Sequence, residues 1–100
     1  MNLKYNFRGY KQREVVRQAF LRRLNDNGRN LEQFNLYGQI SFQKHGPLHQ
    51  IICQLSTKSG AKFQLETSGS NPTVCIEKII YKLNSYLIML KNQEQRRKAH

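Results

Sequence analysis

Residues 71–91 read NPTVCIEKIIYKLNSYLIMLK. Their apolar positions are Cys75, Ile76, Ile79, Ile80, Leu83, Tyr86, Leu87 and Leu90. At about 100° per residue these fall on one stripe of a helix of about five turns. The start is punctuated: Gly69-Ser70-Asn71-Pro72 offers Asn71 as N-cap and Pro72 as first helical residue. A stripe of this length needs an apolar surface to pack on. The segments upstream supply one.

Those segments alternate with period two. Leu36, Ile40 and Phe42 alternate with Tyr37, Gln39, Ser41 and Gln43. Ile51, Cys53 and Leu55 oppose Gln50, Ile52 and Gln54, and Ala61, Phe63 and Leu65 oppose Lys62, Gln64 and Glu66. Turns are marked by Lys44-His45-Gly46-Pro47 and by Ser59-Gly60. The predicted sheet has one apolar face and one face rich in glutamine. Leu3, Tyr5 and Phe7 add a strand at the front, alternating with Asn2, Lys4, Asn6 and Arg8. Between it and the meander, Lys11 to Asn25 reads as a helix with Val15, Val16, Ala19, Phe20 and Leu24 as its buried arc. Leu21 has no place in that arc. Asn25-Asp26-Asn27-Gly28 stops the helix, and a loop to Asn35 tucks in Leu31 and Phe34. The reading is α+β, in the order β-α-β-β-β-α: a four-stranded sheet with both helices on its apolar face. The first two strands are joined through a helix and are expected to be parallel, with a right-handed crossover. Residues 1–91 form one domain, and 92–100 a basic, flexible tail.

The chain has 17 Lys and Arg against 6 acids, a formal net charge of +11 over 100 residues. Such an imbalance repels itself in a compact fold and suits a polyanionic partner. No segment approaches the about 18 apolar residues of a membrane span, and no secretory leader is read at Met1-Asn2-Leu3-Lys4, so cytoplasm is the expected compartment. Cys53 and Cys75 fall on inward positions and read as buried free thiols rather than a disulfide. His45 and His49 flank one hairpin and read as part of a solvated turn. No metal, cofactor or small-molecule ligand is expected. Glu14, Asp26, Glu32, Glu66, Glu77 and Glu94 form no catalytic pair, and no serine has a nucleophile-elbow context. The chain therefore reads as a binding protein and not an enzyme.

The candidate RNA-binding residues are the cations of the two helices. They are Lys11, Arg13, Arg17, Arg22 and Arg23 on or beside the first helix. On the last helix and its tail they are Lys78, Lys82, Lys91, Arg96, Arg97 and Lys98. Rows of cations one turn apart suit phosphates, which give affinity and position without sequence choice. Only Tyr37 among the sheet aromatics points outward, which argues against a multi-base sheet reader of the RNA-recognition-motif kind.

Leu3-Lys4-Tyr5-Asn6 followed by Arg13-Glu14-Val15-Val16-Arg17, and Gly69-x-Asn71-x-x-x-Cys75-Ile76-Glu77-x-x-Ile80-Tyr81-Lys82-Leu83-x-x-Tyr86-Leu87, resemble segments of a known family. The family is that of the ribosome hibernation promoting factors, also called protein Y or sigma-54 modulation proteins. The resemblance spans nearly the whole chain. It implies binding in the mRNA and tRNA channel of the small ribosomal subunit, through basic residues of both helices, with idle ribosomes silenced. Lys82 aligns with a family lysine, and Arg23 with a lysine late in the first helix. Ser85 stands where the family has arginine, and Ile88, Met89 and Leu90 replace a stretch rich in Lys and His. The chain is expected to be a divergent short form, monomeric, without the added C-terminal domain of long members. Two alternatives share the pattern. A double-stranded RNA-binding domain has an α-β-β-β-α core, but it carries a lysine cluster where this chain has Asn71-Pro72-Thr73-Val74. A protein-interaction module could use Tyr81, Ile88 and Met89, which lie off the main stripe.

Overall fold

The computed structural model describes residues 2–27 and 34–98, with side chains outside 27 and 94–98. The element order is β1 (Asn2–Arg8), α1 (Arg13–Asn27), β2 (Tyr37–His45), β3 (Leu48–Ser56), β4 (Lys62–Gly69) and α2 (Pro72–Lys98). The strands form one sheet in the order β1-β2-β3-β4. β1 pairs parallel to β2, and the other pairs are antiparallel. The α+β order and pairing read from the sequence are those observed.

Each turn has a local cause. β2 and β3 join through Gly46-Pro47, with His45 opposite Leu48. Gly46 takes a φ of 58°, a left-handed conformation that glycine adopts without strain. At the β3–β4 turn the side chain of Thr57 is 1% exposed. Its hydroxyl accepts from the Ala61 N–H at 3.2 Å, and its own N–H donates to the Ala61 carbonyl at 2.9 Å. The cap of α2 is as read: Asn71 Oδ1 accepts from the N–H groups of Thr73 (3.0 Å) and Val74 (3.3 Å).

The core lies between the sheet and the helices. Ile40, Phe42, Ile51, Cys53 and Leu55 face Phe20 and Leu24 of α1 and the α2 stripe. Cys75, Ile76, Ile79, Ile80, Leu83 and Leu87 are buried, and Tyr86 and Leu90 are partly so. Phe20 sits edge-on to Phe42 (5.6 Å) and to Tyr5 (6.2 Å), while Phe7 stacks on Phe42 at 5.0 Å. Both cysteines are free and buried. Burial pushes the Cys53 thiol up to about 12, leaving it inert as a nucleophile.

Three expectations are corrected. The first is the arc of α1. Val15 is 62% exposed and Ala19 is exposed, whereas Arg17 and Leu21 are half-buried. Relative to Phe20, Val15 and Ala19 lie on one flank, and Arg17 and Leu21 on the other. The helix is rolled toward the second flank, where Arg17 lies beside Tyr5 and Leu21 is half-buried. The second is the end of the last helix. α2 continues through Lys98 rather than giving way to an irregular tail at 92. Among the residues with described side chains the packed core ends at Leu90, and the molecule as a whole is 51 Å in its longest dimension and 22 Å across. The third is His49, which is only 9% exposed instead of lying in a solvated turn. It shares the inward parity of Ile51, Cys53 and Leu55. Leu31 and Gly28 lie outside the described residues, whereas Phe34 is buried.

Candidate nucleic-acid interface

The cations divide into those held by a neighbour and those turned to solvent. On α1, Arg13 opens the helix and is exposed, as is Arg22. Arg17 donates to Glu14 at 2.6 Å, and its guanidinium lies 6.0 Å from the Tyr5 ring centre. The hydrogen bond from Arg17, with a second from Gln18, holds the Glu14 carboxyl below the usual carboxylate range. Arg23 pairs with Glu77 of α2 at 3.0 Å, so the bridge spans the seam between the helices.

On α2, Lys78 and Lys82 are one turn apart and exposed. The ammonium of Lys82 donates to the Glu66 carbonyl of β4 at 2.7 Å. That bond ties the exposed side chain to the edge strand β4. Lys91 is half-buried where the core ends. Arg96, Arg97 and Lys98 belong to the last turns of α2, and their side chains lie outside the described ones.

Lys11 is grouped with residues that the sequence pattern does not gather. It lines a concavity of about 490 Å³ with Tyr10, Val16, Lys44 and His49. The Tyr10 hydroxyl and His49 Nδ1 are 2.8 Å apart. Burial, and after it the nearby Lys44 ammonium, holds the His49 imidazole below its ordinary value. The signal for His49 is present in the strand's period-two pattern; the contribution of Lys44 is a tertiary fact. His45 points to the open face beside Gln43 while His49 faces the core, so the two cannot share an ion. Among the described residues no three His, Cys, Asp or Glu gather as metal ligands. No described helix is long and apolar enough to cross a membrane.

The face opposite the helices carries an amide ladder. Asn6 Nδ2 donates to Gln39 Oε1 (3.2 Å), Gln39 Nε2 to Gln54 Oε1 (2.5 Å), and Gln54 Nε2 to Gln64 Oε1 (3.3 Å). A second bond joins Gln50 to Glu66 at 2.7 Å. The face is polar and open, as the glutamine pattern predicts.

No family model matches the chain, and no curated protein matches it in sequence. Solved structures do match in fold. The crystal structure of the Thermus thermophilus Protein Y N-terminal domain superposes with a TM-score of 0.72 at 14% identity, covering 87% of this chain and 96% of that one. A ribosomal subunit interface protein from Coxiella burnetii superposes with a TM-score of 0.78 at 12% identity, covering 92% of this chain and 99% of that one. The chain thus has the fold toward which its sequence resemblance pointed.

Proposed function

We propose that this protein is a non-enzymatic, ribosome-associated factor that binds the RNA of the small ribosomal subunit near its mRNA and tRNA channel. Occupancy of that channel silences or protects idle ribosomes in the cytoplasm, and one copy acts alone. The observation that carries the reading is a fold shared end to end with a ribosomal subunit interface protein, joined to a net charge of +11. The solvent side of the two helices offers Arg13, Arg22, Lys78 and Lys82 to phosphates, and Lys11 lies exposed just before α1. Lys91 and, in the last turns of α2, Arg96, Arg97 and Lys98 add four more cations to that helix. Arg17 and Arg23 are the members already engaged with carboxylates.

Neutralisation tests the assignment. Arg23→Gln with Lys82→Gln should weaken cosedimentation with small subunits. The plot of log affinity against log salt should become shallower, by roughly 0.7–0.9 for each phosphate left without its cation. Circular dichroism should remain native. Unchanged cosedimentation by the folded double variant counts against the site.

A protein-interaction module has one observation in its favour. Val74, Tyr81 and Ile88 are exposed by 41, 74 and 48% and recur every seven residues on the outer side of α2. Nuclease-resistant copurification with a protein partner would support that reading over the ribosomal one.

A further inference from the structure

Tyr37 is the aromatic residue that the sheet turns away from its core. Tyr5, Phe7, Phe42 and Phe63 are all engaged in ring contacts on the helix side. Tyr37 begins β2 on the open face and is 47% exposed. It stands between two concavities. One, of about 440 Å³, is formed with Asn2, Asn35 and Lys58; the other, of about 400 Å³, with Lys4, Gln39 and Gln54.

The strand register explains why these groups meet. Asn2, Tyr37, Ser56 and Lys62 form one row across all four strands. Lys4, Gln39, Gln54 and Gln64 form the adjacent outward row. Lys58 is brought alongside by the turn after β3, where its N–H donates to the Phe34 carbonyl at 3.1 Å. Among the described residues the patch holds an aromatic ring, three lysines, primary amides and no acid. The open face's one described carboxylate, Glu66, is occupied by Gln50.

These are the groups that a single nucleotide requires. A ring face stacks any base, amides bond base edges, and ammonium groups hold flanking phosphates. Each primary amide has two donor hydrogens and two acceptor lone pairs. The ladder uses part of that capacity while fixing how Gln39 and Gln54 point. One ring serves one base, in keeping with the lack of a multi-aromatic platform.

We propose that Tyr37 is the stacking site for one unpaired base of single-stranded RNA crossing the open face, with Lys4, Lys58 and Lys62 on the neighbouring phosphates. The inference rests on RNA being the partner and adds a second surface, on the side of the sheet opposite the helices.

The test compares the intact chain with Tyr37→Ala, Tyr37→Phe and Lys58→Gln. The probe is a fluorescein-labelled single-stranded oligouridylate, read by anisotropy across a salt series. An RNA hairpin duplex and purified small subunits serve as parallel targets. Tyr37→Ala should raise Kd for the single strand roughly 5- to 150-fold, the loss of one base stack. Its salt slope should be unchanged, because no charge is removed. Tyr37→Phe should bind as the parent does, because the ring is retained. Lys58→Gln should flatten the slope by about 0.7. Duplex binding should be insensitive to Tyr37, since paired bases offer no free face. Native circular dichroism for Tyr37→Ala excludes unfolding as the cause. Parent-like single-strand binding by Tyr37→Ala overturns the proposal. So does a parent that binds small subunits but not the oligouridylate, and there the ribosomal reading survives. A parent that binds none of the three RNAs overturns both.

Discussion

Replacing Glu77 with glutamine separates competition from architecture at the helix seam. Arg23 and Glu77 meet at 3.0 Å with side chains 47 and 50% exposed. An ion pair so open to water contributes about 0.2–1 kcal/mol. Glu77→Gln should therefore lower stability by less than about 1 kcal/mol, and the melting temperature by no more than roughly 4–8 °C. RNA binding should move the other way. A phosphate docked on the Arg23 guanidinium would stand about 6 Å from the Glu77 carboxylate, two hydrogen-bond lengths away, where like charges repel by roughly 0.7 kcal/mol in water. Removing that repulsion is worth about threefold in Kd. The formal charge rises from +11 to +12 with one of the 6 acids gone. The assays are thermal denaturation and filter binding to small-subunit RNA over a salt series. Weaker binding, or a stability loss of several kcal/mol, would refute the reasoning and make the pair a structural element.

Phe20→Ala should cost about 3–5 kcal/mol in urea denaturation, because Phe20 is fully buried against Tyr5 and Phe42; a loss under about 1 kcal/mol would place α1 off the sheet. Gly38→Ala should cost at least about 2 kcal/mol, since φ is 142° and a Cβ there would overlap the Gln54 carbonyl oxygen; parent-like stability would mean that β2 and β3 approach less closely. His49 is held below its ordinary value in the folded protein, so its contribution is complete above about pH 6.5 and is lost as pH falls through the folded pKa. His49→Gln should flatten stability against pH in that window, and an unaltered acid limb would remove His49 from the account.

The sequence was most legible where packing follows one period over many residues. The α2 stripe shows this: each position read as apolar-inward is buried or half-buried, because a long helix on a sheet must present one face throughout. α1 was harder. Phe20 and Leu24 fix its direction only within a broad arc, and the helix lies rolled so that Arg17 is half-buried beside the Tyr5 ring while Val15 and Ala19 are exposed. At 92–98 the end of the apolar stripe stood in for the end of the helix. Yet Asn92-Gln93-Glu94-Gln95-Arg96-Arg97-Lys98 is dominated by good helix formers, so propensity carried the signal that patterning lacked. His49 was misplaced by residue type, although its parity with Ile51 was visible. The candidate interface was legible as a set of cations but not as an arrangement. The Arg23–Glu77 bridge and the bond from Lys82 to the Glu66 carbonyl join elements far apart in sequence. Neither pairing has a local signature.

If this basic fold engages the small ribosomal subunit through phosphate contacts, sedimentation of the intact chain with purified small and large subunits at low and high salt tests that engagement most directly. The account predicts comigration with the small subunit at low salt, release as salt rises with a steep log–log slope, and weaker retention after Arg23→Gln with Lys82→Gln. A protein that stays at the top of the gradient at low salt, or that binds both subunits equally, would contradict it.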